Sequence, residues 1–177
     1  MAYGTRDIRN IALVGHAAAG KTTLVEALLA AAGRIPTAGD VAKGNTICDF
    51  DPLEQEKGHS LDTALVSLDW GGCHINLIDT PGAPDYLGKA VAALPAVETA
   101  AVVVNAREGI EAVTIRMMTR AAERGLGRLI IVNRIDAEDV DLEGLLHELQ
   151  QTFGRECLPL NLPADNATKV VDCFFTP

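Results

Sequence analysis

The sequence predicts an α/β domain: a mostly parallel sheet with one antiparallel edge hairpin, flanked by helices and built around a phosphate-binding loop. Three observations predict it. Near-continuous apolar runs, "TAAVVVNA" and "RLIIVN", suit central parallel strands buried on both faces. Such runs alternate along the chain with segments of helical spacing. "GHAAAGKT" at residues 15–22 lies between a strand pattern and a helix pattern, the context that a P-loop requires.

Taken in order, "IRNIALVG" reads as a buried strand. Residues 21–32 follow as a helix, with Leu24, Ala27, Leu28 and Ala31 at helical spacing and Gly33 as the stop. Residues 34–60 hold Gly, Pro and Asp without sustained periodicity, a length that marks a functional or mobile loop. "LDTALVSLDW" and "CHINLID" flank Gly71 and Gly72, which predicts two antiparallel strands joined by a tight turn. Between the two central apolar runs, residues 109–124 place Ile110, Val113, Met117 and Ala121 on one helical face, with Gly125 as the stop. The methionines on it read as core filler. A last helix is expected over residues 142–153, with Leu142, Leu145, Leu146 and Leu149 as its buried stripe, Asp141 as its cap and His147 facing away.

At 177 residues and 48% hydrophobic composition the chain has room for one domain with a real core. Its formal charge is −9, and no basic run offers a footprint on nucleic acid, so direct DNA binding is not expected. Cys48, Cys73, Cys157 and Cys173 are scattered without a CxxC pair, which argues against a zinc site and a disulfide framework. Lys21 and Glu26 interrupt the N-terminal apolar stretch, and no apolar segment approaches the length of about 18 residues that a membrane span needs. A cytoplasmic, monomeric chain is the expectation.

Three motifs carry chemistry. In "GHAAAGKT" the backbone N–H groups of Gly15, His16, Ala17, Ala18, Ala19 and Gly20, with Lys21, Thr22 and Thr23 opening the helix, would surround the phosphates of a nucleotide. Lys21 would reach the β- and γ-phosphates, and the Thr22 hydroxyl would ligate Mg²⁺. "DTPG" ends a predicted strand, so Asp79 can face Mg²⁺, through water, and the Gly82 amide can meet a γ-phosphate. "NRID" follows "RLIIV" and offers Asn133, Arg134 and Asp136 to a base. The Asp136 carboxylate is acceptor-only; it suits N1–H and the N2 amine of guanine, whereas adenine presents an acceptor at N1. GTP and GDP are therefore expected over adenine nucleotides, which argues against the rival reading of a P-loop ATPase. Arg134 stands where lysine is usual in this motif; it preserves the charge with a different geometry.

With these residues in view, the chain resembles the N-terminal G domain of elongation factor G, and above all the elongation factor G-like paralogues. The likeness runs from "IRNIALVGHAAAGKTTL" through "DFDPLEQEKGHSL" and "CHINLIDTPG" to "NRID" and "LPLNLPADNATKVVDCF". It implies a translational GTPase that takes GTP to GDP and phosphate with Mg²⁺ and acts on the ribosome. It also implies that residues 1–157 are the G-domain core and 158–177 the start of an inserted subdomain. Ser60 occupies the place of the first-switch threonine that closes onto Mg²⁺, and it retains the hydroxyl. Ala18 stands where many relatives have aspartate. Ala83 stands where the family has the histidine that holds the attacking water, while His59, just before Ser60, replaces an apolar residue. Two readings of His59 stay open: a histidine relocated between switches that approaches the γ-phosphate, or a solvated loop residue. Ala83 likewise leaves a slow or non-hydrolysing GTP-binding module as the alternative to a GTPase. No "SA" guanine-contacting loop is present, so a truncated G domain is expected, with weaker nucleotide binding and an apolar sheet edge exposed.

Overall fold

The structure of the chain, a computed structural model, describes residues 3–165 and 167–174. In chain order the elements are β1 (Ile8–Val14), α1 (Lys21–Ala31), α2 (Pro52–Lys57), β2 (Ala64–Trp70), β3 (Cys73–Asp79), α3 (Leu87–Ala93), β4 (Thr99–Asn105), α4 (Ala112–Glu123), β5 (Gly127–Asn133), α5 (Leu142–Phe153), β6 (Asn161–Ala164) and β7 (Lys169–Asp172). A five-stranded sheet has the order β2-β3-β1-β4-β5. The pairs β3–β1, β1–β4 and β4–β5 are parallel, and β2 is antiparallel to β3 on one edge. This is the mostly parallel sheet with one edge hairpin that the sequence predicts. Gly71 and Gly72 both take positive φ, +57° and +81°, as a two-residue hairpin turn between right-twisted strands demands.

The sheet is a partition between two cores. On one side Leu13, Leu77 and Val103 pack against Val25 and Leu29 of α1 and against Cys48. On the other, Ala12, Val14, Ala100 and Val102 meet Ala90 of α3 and Val113, Met117 and Ala121 of α4. Because β4 lies between parallel neighbours with helices on both faces, residues 100–104 are buried without alternation. Both α4 methionines are core residues, at 0% and 4% exposure. α5 begins at Asp141, whose carboxylate accepts from the Gly144 amide, and buries Leu145 and Leu149; His147 is exposed.

Within residues 34–60 the structure holds a helix that periodicity does not announce. α2 is only one and a half turns, but its ends are chemically complete. Asp51 accepts from the Leu53 amide, Glu54 reaches back to the Asp51 amide, Pro52 opens the helix, and Gly58 closes it at φ +67°. β6 and β7 form a separate two-stranded antiparallel sheet within the stretch expected to open an inserted subdomain. Of that stretch, residues 166 and 175–177 lie outside the described residues.

The parallel register brings Leu13 beside Asp79, Val14 beside Val102 and Asn105 beside Asn133. The loops after β1, β3 and β5 therefore gather at one edge of the sheet, the carboxyl ends of its strands, where α/β folds place ligands.

Candidate nucleotide site

The loop from Gly15 to Gly20 leaves β1 at a point where no side chain fits. Gly15 has φ +137°, and a Cβ there would strike the carbonyl oxygen of Val103 on the neighbouring strand. Gly20 has φ +89°, and its Cβ position is taken by the amide nitrogen of Asn133. Ala18 is also left-handed, at φ +61°, and it is exposed along with Ala17 and Thr23; His16 and Ala19 are buried. Gly20 precedes α1 without a side-chain cap, and the first turn of α1 carries no acidic residue. The N–H groups and positive dipole end of that helix are thus left for an anion. Lys21 is 6% exposed, and its ammonium donates to the carbonyls of Gly15 at 3.1 Å and His16 at 2.7 Å. Burial holds its pKa down to about 8, against the opposing pull of Asp79. Gly82 lies directly against this loop: a Cβ there would meet the Lys21 ammonium, the His16 carbonyl and the Ala17 amide. The His16 imidazole turns away, with Nε2 2.9 Å from a Glu108 carboxylate oxygen and Nδ1 3.5 Å from the Thr114 hydroxyl on α4.

Beneath the loop, oxygen atoms converge. Thr22 donates its hydroxyl proton to Asp79 Oδ2 at 2.6 Å, and Ser60 donates its own to Asp49 Oδ1 at 2.7 Å. The two hydroxyl oxygens lie 3.2 Å apart, so with both protons committed elsewhere their lone pairs face one another. Asp79 is 2% exposed, and its other oxygen, Oδ1, is buried without a hydrogen-bond partner among the described residues. Burial pushes the Asp79 pKa up to about 6; the Thr22 hydrogen bond and Lys21 oppose the rise, and Asp49 adds to it. Two hydroxyls, an orphaned carboxylate oxygen and a second buried aspartate are the donor set of a hard divalent cation, so the residues present fit Mg²⁺.

At the other end of the loop, Asn133 closes β5. Its side-chain nitrogen donates to the Ala19 carbonyl at 2.9 Å, and its oxygen accepts from the Arg134 amide at 2.9 Å. Arg134 stands at φ +58° and turns the chain out, leaving Asp136 exposed on the wall of a cavity of about 450 Å³. Ile135, Ala137, Val140, Pro163 and Ala164 also line it. The structure therefore brings the loop, Thr22, Ser60, Asp79, Gly82 and Asn133 into one locus, with Asp136 beside it. His59 is exposed, and its Nδ1 lies 3.4 Å from the carbonyl of its own neighbour, Ser60. Ala83 is half-buried and caps the short turn Pro84–Tyr86. Asp49 belongs to the cluster as well, although the motif reading passes over it. The signal available was the "DPLE" capping box two residues on, which opens α2 between Asp49 and Ser60.

A family profile described as the elongation factor Tu GTP binding domain matches residues 6–173. Mitochondrial ribosome-releasing factor 2 of Culex quinquefasciatus is 38% identical over 170 residues, covering 94% of this chain and 23% of that protein. An elongation factor G-like protein of Mycobacterium tuberculosis is 37% identical over 163 residues, covering 92% of this chain and 23% of its own length. The chain thus spans less than a quarter of these curated relatives. A crystal structure of a Thermus thermophilus protein superposes with a TM-score of 0.88 at 37% identity, over 93% of this chain and 25% of that one. A bacterial selenocysteine-specific elongation factor gives a TM-score of 0.63 at 25% identity, over 81% of this chain and 22% of its own.

Proposed function

Because this chain belongs to the elongation factor Tu GTP binding domain family, we propose that it binds GTP and GDP with Mg²⁺ and hydrolyses GTP as the switch domain of a ribosome-associated factor. The observation that carries the reading is the oxygen cluster of Thr22, Ser60 and Asp79 directly under the Lys21 strap. The orphaned Asp79 oxygen and the facing hydroxyl lone pairs would suit a hard divalent cation held beside the phosphates. When bound, Mg²⁺ would neutralise charge on the β- and γ-phosphate oxygens. The chain's own residues do the rest. Lys21 exchanges its two carbonyl acceptors for phosphate oxygens, the uncapped start of α1 receives them, and the Gly82 amide reports whether the γ-phosphate is present. Asp136 accepts from guanine, and Asn133 ties that recognition loop to the phosphate loop through Ala19.

Ala83 has no side chain that could orient water, and positioned acid/base groups contribute roughly 10²- to 10⁴-fold. Slow hydrolysis by the chain alone is therefore expected, while none of the nucleotide contacts named above depends on Ala83. The ribosome as partner is supported by the names of the relatives, a ribosome-releasing factor and an elongation factor G-like protein.

Displacement of a fluorescent GDP derivative tests the assignment. Unlabelled GDP is expected to compete about a hundredfold or more better than ADP, because a site built to hydrogen-bond one base leaves its groups unpaired against the other. Chelation of Mg²⁺ should weaken GTP more than GDP. Equal competition by ADP would sink the guanine assignment.

A further inference from the structure

Two carboxylates outside the loop chemistry are buried, and the helix-cap contact of one of them accounts for only one of its oxygens. Glu26 on α1 is 1% exposed and Glu54 on α2 is 3% exposed. Neither has an ion-pair partner among the described residues. A buried carboxylate without a cation persists only where N–H donors surround it. For both residues those donors are backbone amides of the same first-switch stretch. Glu26 accepts from Gly39 at 2.8 Å on one oxygen and from Ile47 at 2.6 Å on the other. Glu54 accepts from Leu61 at 2.8 Å and Asp62 at 3.0 Å on one oxygen, and from Asp51 at 3.3 Å on the other.

These contacts bracket Ser60. Glu26 holds the approach to Asp49, the acceptor of the Ser60 hydroxyl, and Glu54 holds the two amides that follow Ser60. Glu26 also sits one helical turn beyond Thr22, so the helix that supplies the Thr22 hydroxyl also grips the segment that supplies Ser60. Between the grips, Cys48 is 2% exposed and packs with Leu13, Val25 and Leu29. Gly39 has no room for a Cβ, which would come within 2.6 Å of the Asn45 carbonyl and 2.9 Å of the Glu26 carboxylate.

We propose that Glu26 and Glu54 are paired positioning residues, a two-point clamp that fixes the first-switch stretch in the register that sets the Ser60 hydroxyl beside Thr22 and Asp79. The inference rests on the reading of that cluster as the GTP and Mg²⁺ site. At Glu54 one oxygen takes both the Leu61 and the Asp62 amide, so the informative change there is Glu54→Leu, which leaves both without an acceptor. At Glu26, where each oxygen takes one amide, glutamine keeps the size but turns one acceptor into an NH₂ that faces a backbone N–H. Donor then meets donor, and that end of the clamp opens.

Cys48 reports on the clamp without nucleotide. In a Cys73→Ser, Cys157→Ser, Cys173→Ser background, N-ethylmaleimide should modify Cys48 slowly. Glu26→Gln and Glu54→Leu should each accelerate it by about tenfold or more, since local opening rather than global unfolding exposes the thiol. Far-UV circular dichroism should stay unchanged. In the same variants, Mg²⁺-dependent affinity for a non-hydrolysable GTP analogue should fall about tenfold while GDP affinity stays within about twofold, because only the former needs Ser60 in place. Should the glutamine variant fail to fold, Gly39→Ala opens the same contact from the loop side and should show the same pair of effects. An unchanged Cys48 rate overturns the clamp. Equal losses for GDP and the analogue overturn positioning in favour of general stability. The maleimide arm needs no nucleotide, so a parent chain that bound no guanine nucleotide would sink the functional reading and leave the clamp to be decided by Cys48.

Discussion

Asp79 stands at the end of a strand under opposing forces: burial disfavours its charge, while the Thr22 hydroxyl and the Lys21 ammonium favour it. Burial wins and raises the pKa from 3.8 to about 6. Between those values the folded chain holds a proton that the unfolded chain has released. Stability is therefore greatest at the acid end of the window and falls as pH rises through it, by about 3 kcal/mol in all. Asp62, Asp69 and Glu98, whose values are lowered, contribute the opposite slope at more acid pH. Urea midpoints measured from pH 4.5 to 6.5 should decline in the parent and decline less in Asp79→Asn; identical slopes would contradict the burial argument. Such opposition was legible in part. Lys21, Thr22, Asp79, Asn133 and Asp136 could be named from spacing because their roles are tied to a strand end or a helix start. Asp49, Glu26 and Glu54 could not, because each acts through contacts made by a stretch without periodicity. Besides the capping box at Asp51, the sequence held one hint, an acidic residue, Glu26, within an otherwise apolar helix; its place on the buried face with Val25 and Leu29 comes from the structure.

Among the elements, the places of the strands and the long helices follow from pattern, but two of the expected buried faces do not. β5 is an edge strand with a neighbour on one side only and Leu129 39% exposed, not a central one. α1 buries Val25 and Leu29, while Ala27, Leu28 and Ala31 are exposed. The short helices do not follow from pattern even in place: α3 has seven residues and lies between turns that begin at Pro84 and Leu94, too few for a period to emerge. α2 is specified by its caps rather than its faces, so the "DPLEQEKG" chemistry encodes it where hydrophobic spacing is silent. The same distinction between local chemistry and packing separates two glycines. Gly15 and Gly33 both have positive φ, but a Cβ at Gly33 meets nothing within 4 Å, whereas at Gly15 it meets backbone of the central strand β4. Gly33→Ala should therefore cost only about 1 kcal/mol of left-handed strain. Gly15→Ala must displace β4, whose residues from Ala100 to Val104 are at most 2% exposed, and should cost several-fold more, roughly 3 kcal/mol or above. Guanidinium denaturation of the two variants separates the cases, and equal losses would show that the loop, not the strand, yields.

For the molecule as a whole, the sheet gathers the loops after β1, β3 and β5 at one edge, and the chain carries a net charge of −9. The two scales give opposite electrostatics. A phosphate at the loop meets Lys21 and the start of α1 at contact distance, where screening is weak. A polyphosphate strand approaching from further away meets an acidic surface and releases no counterions on binding. Guanine nucleotide binding should accordingly change little between low and moderate salt. Association with ribosomal RNA should be undetectable in the window of about 10⁻⁴ to 10⁻⁶ M that basic proteins reach without sequence preference. Fluorescence anisotropy with a labelled ribosomal RNA fragment checks this across a salt series. The expected trace is flat, and any residual signal should grow with salt as repulsion is screened. Micromolar binding that weakens with salt would mean that a basic patch outweighs the net charge and that this domain grips RNA by itself. The expected result instead means that any contact this domain makes with RNA would depend on local shape and specific contacts rather than on long-range attraction.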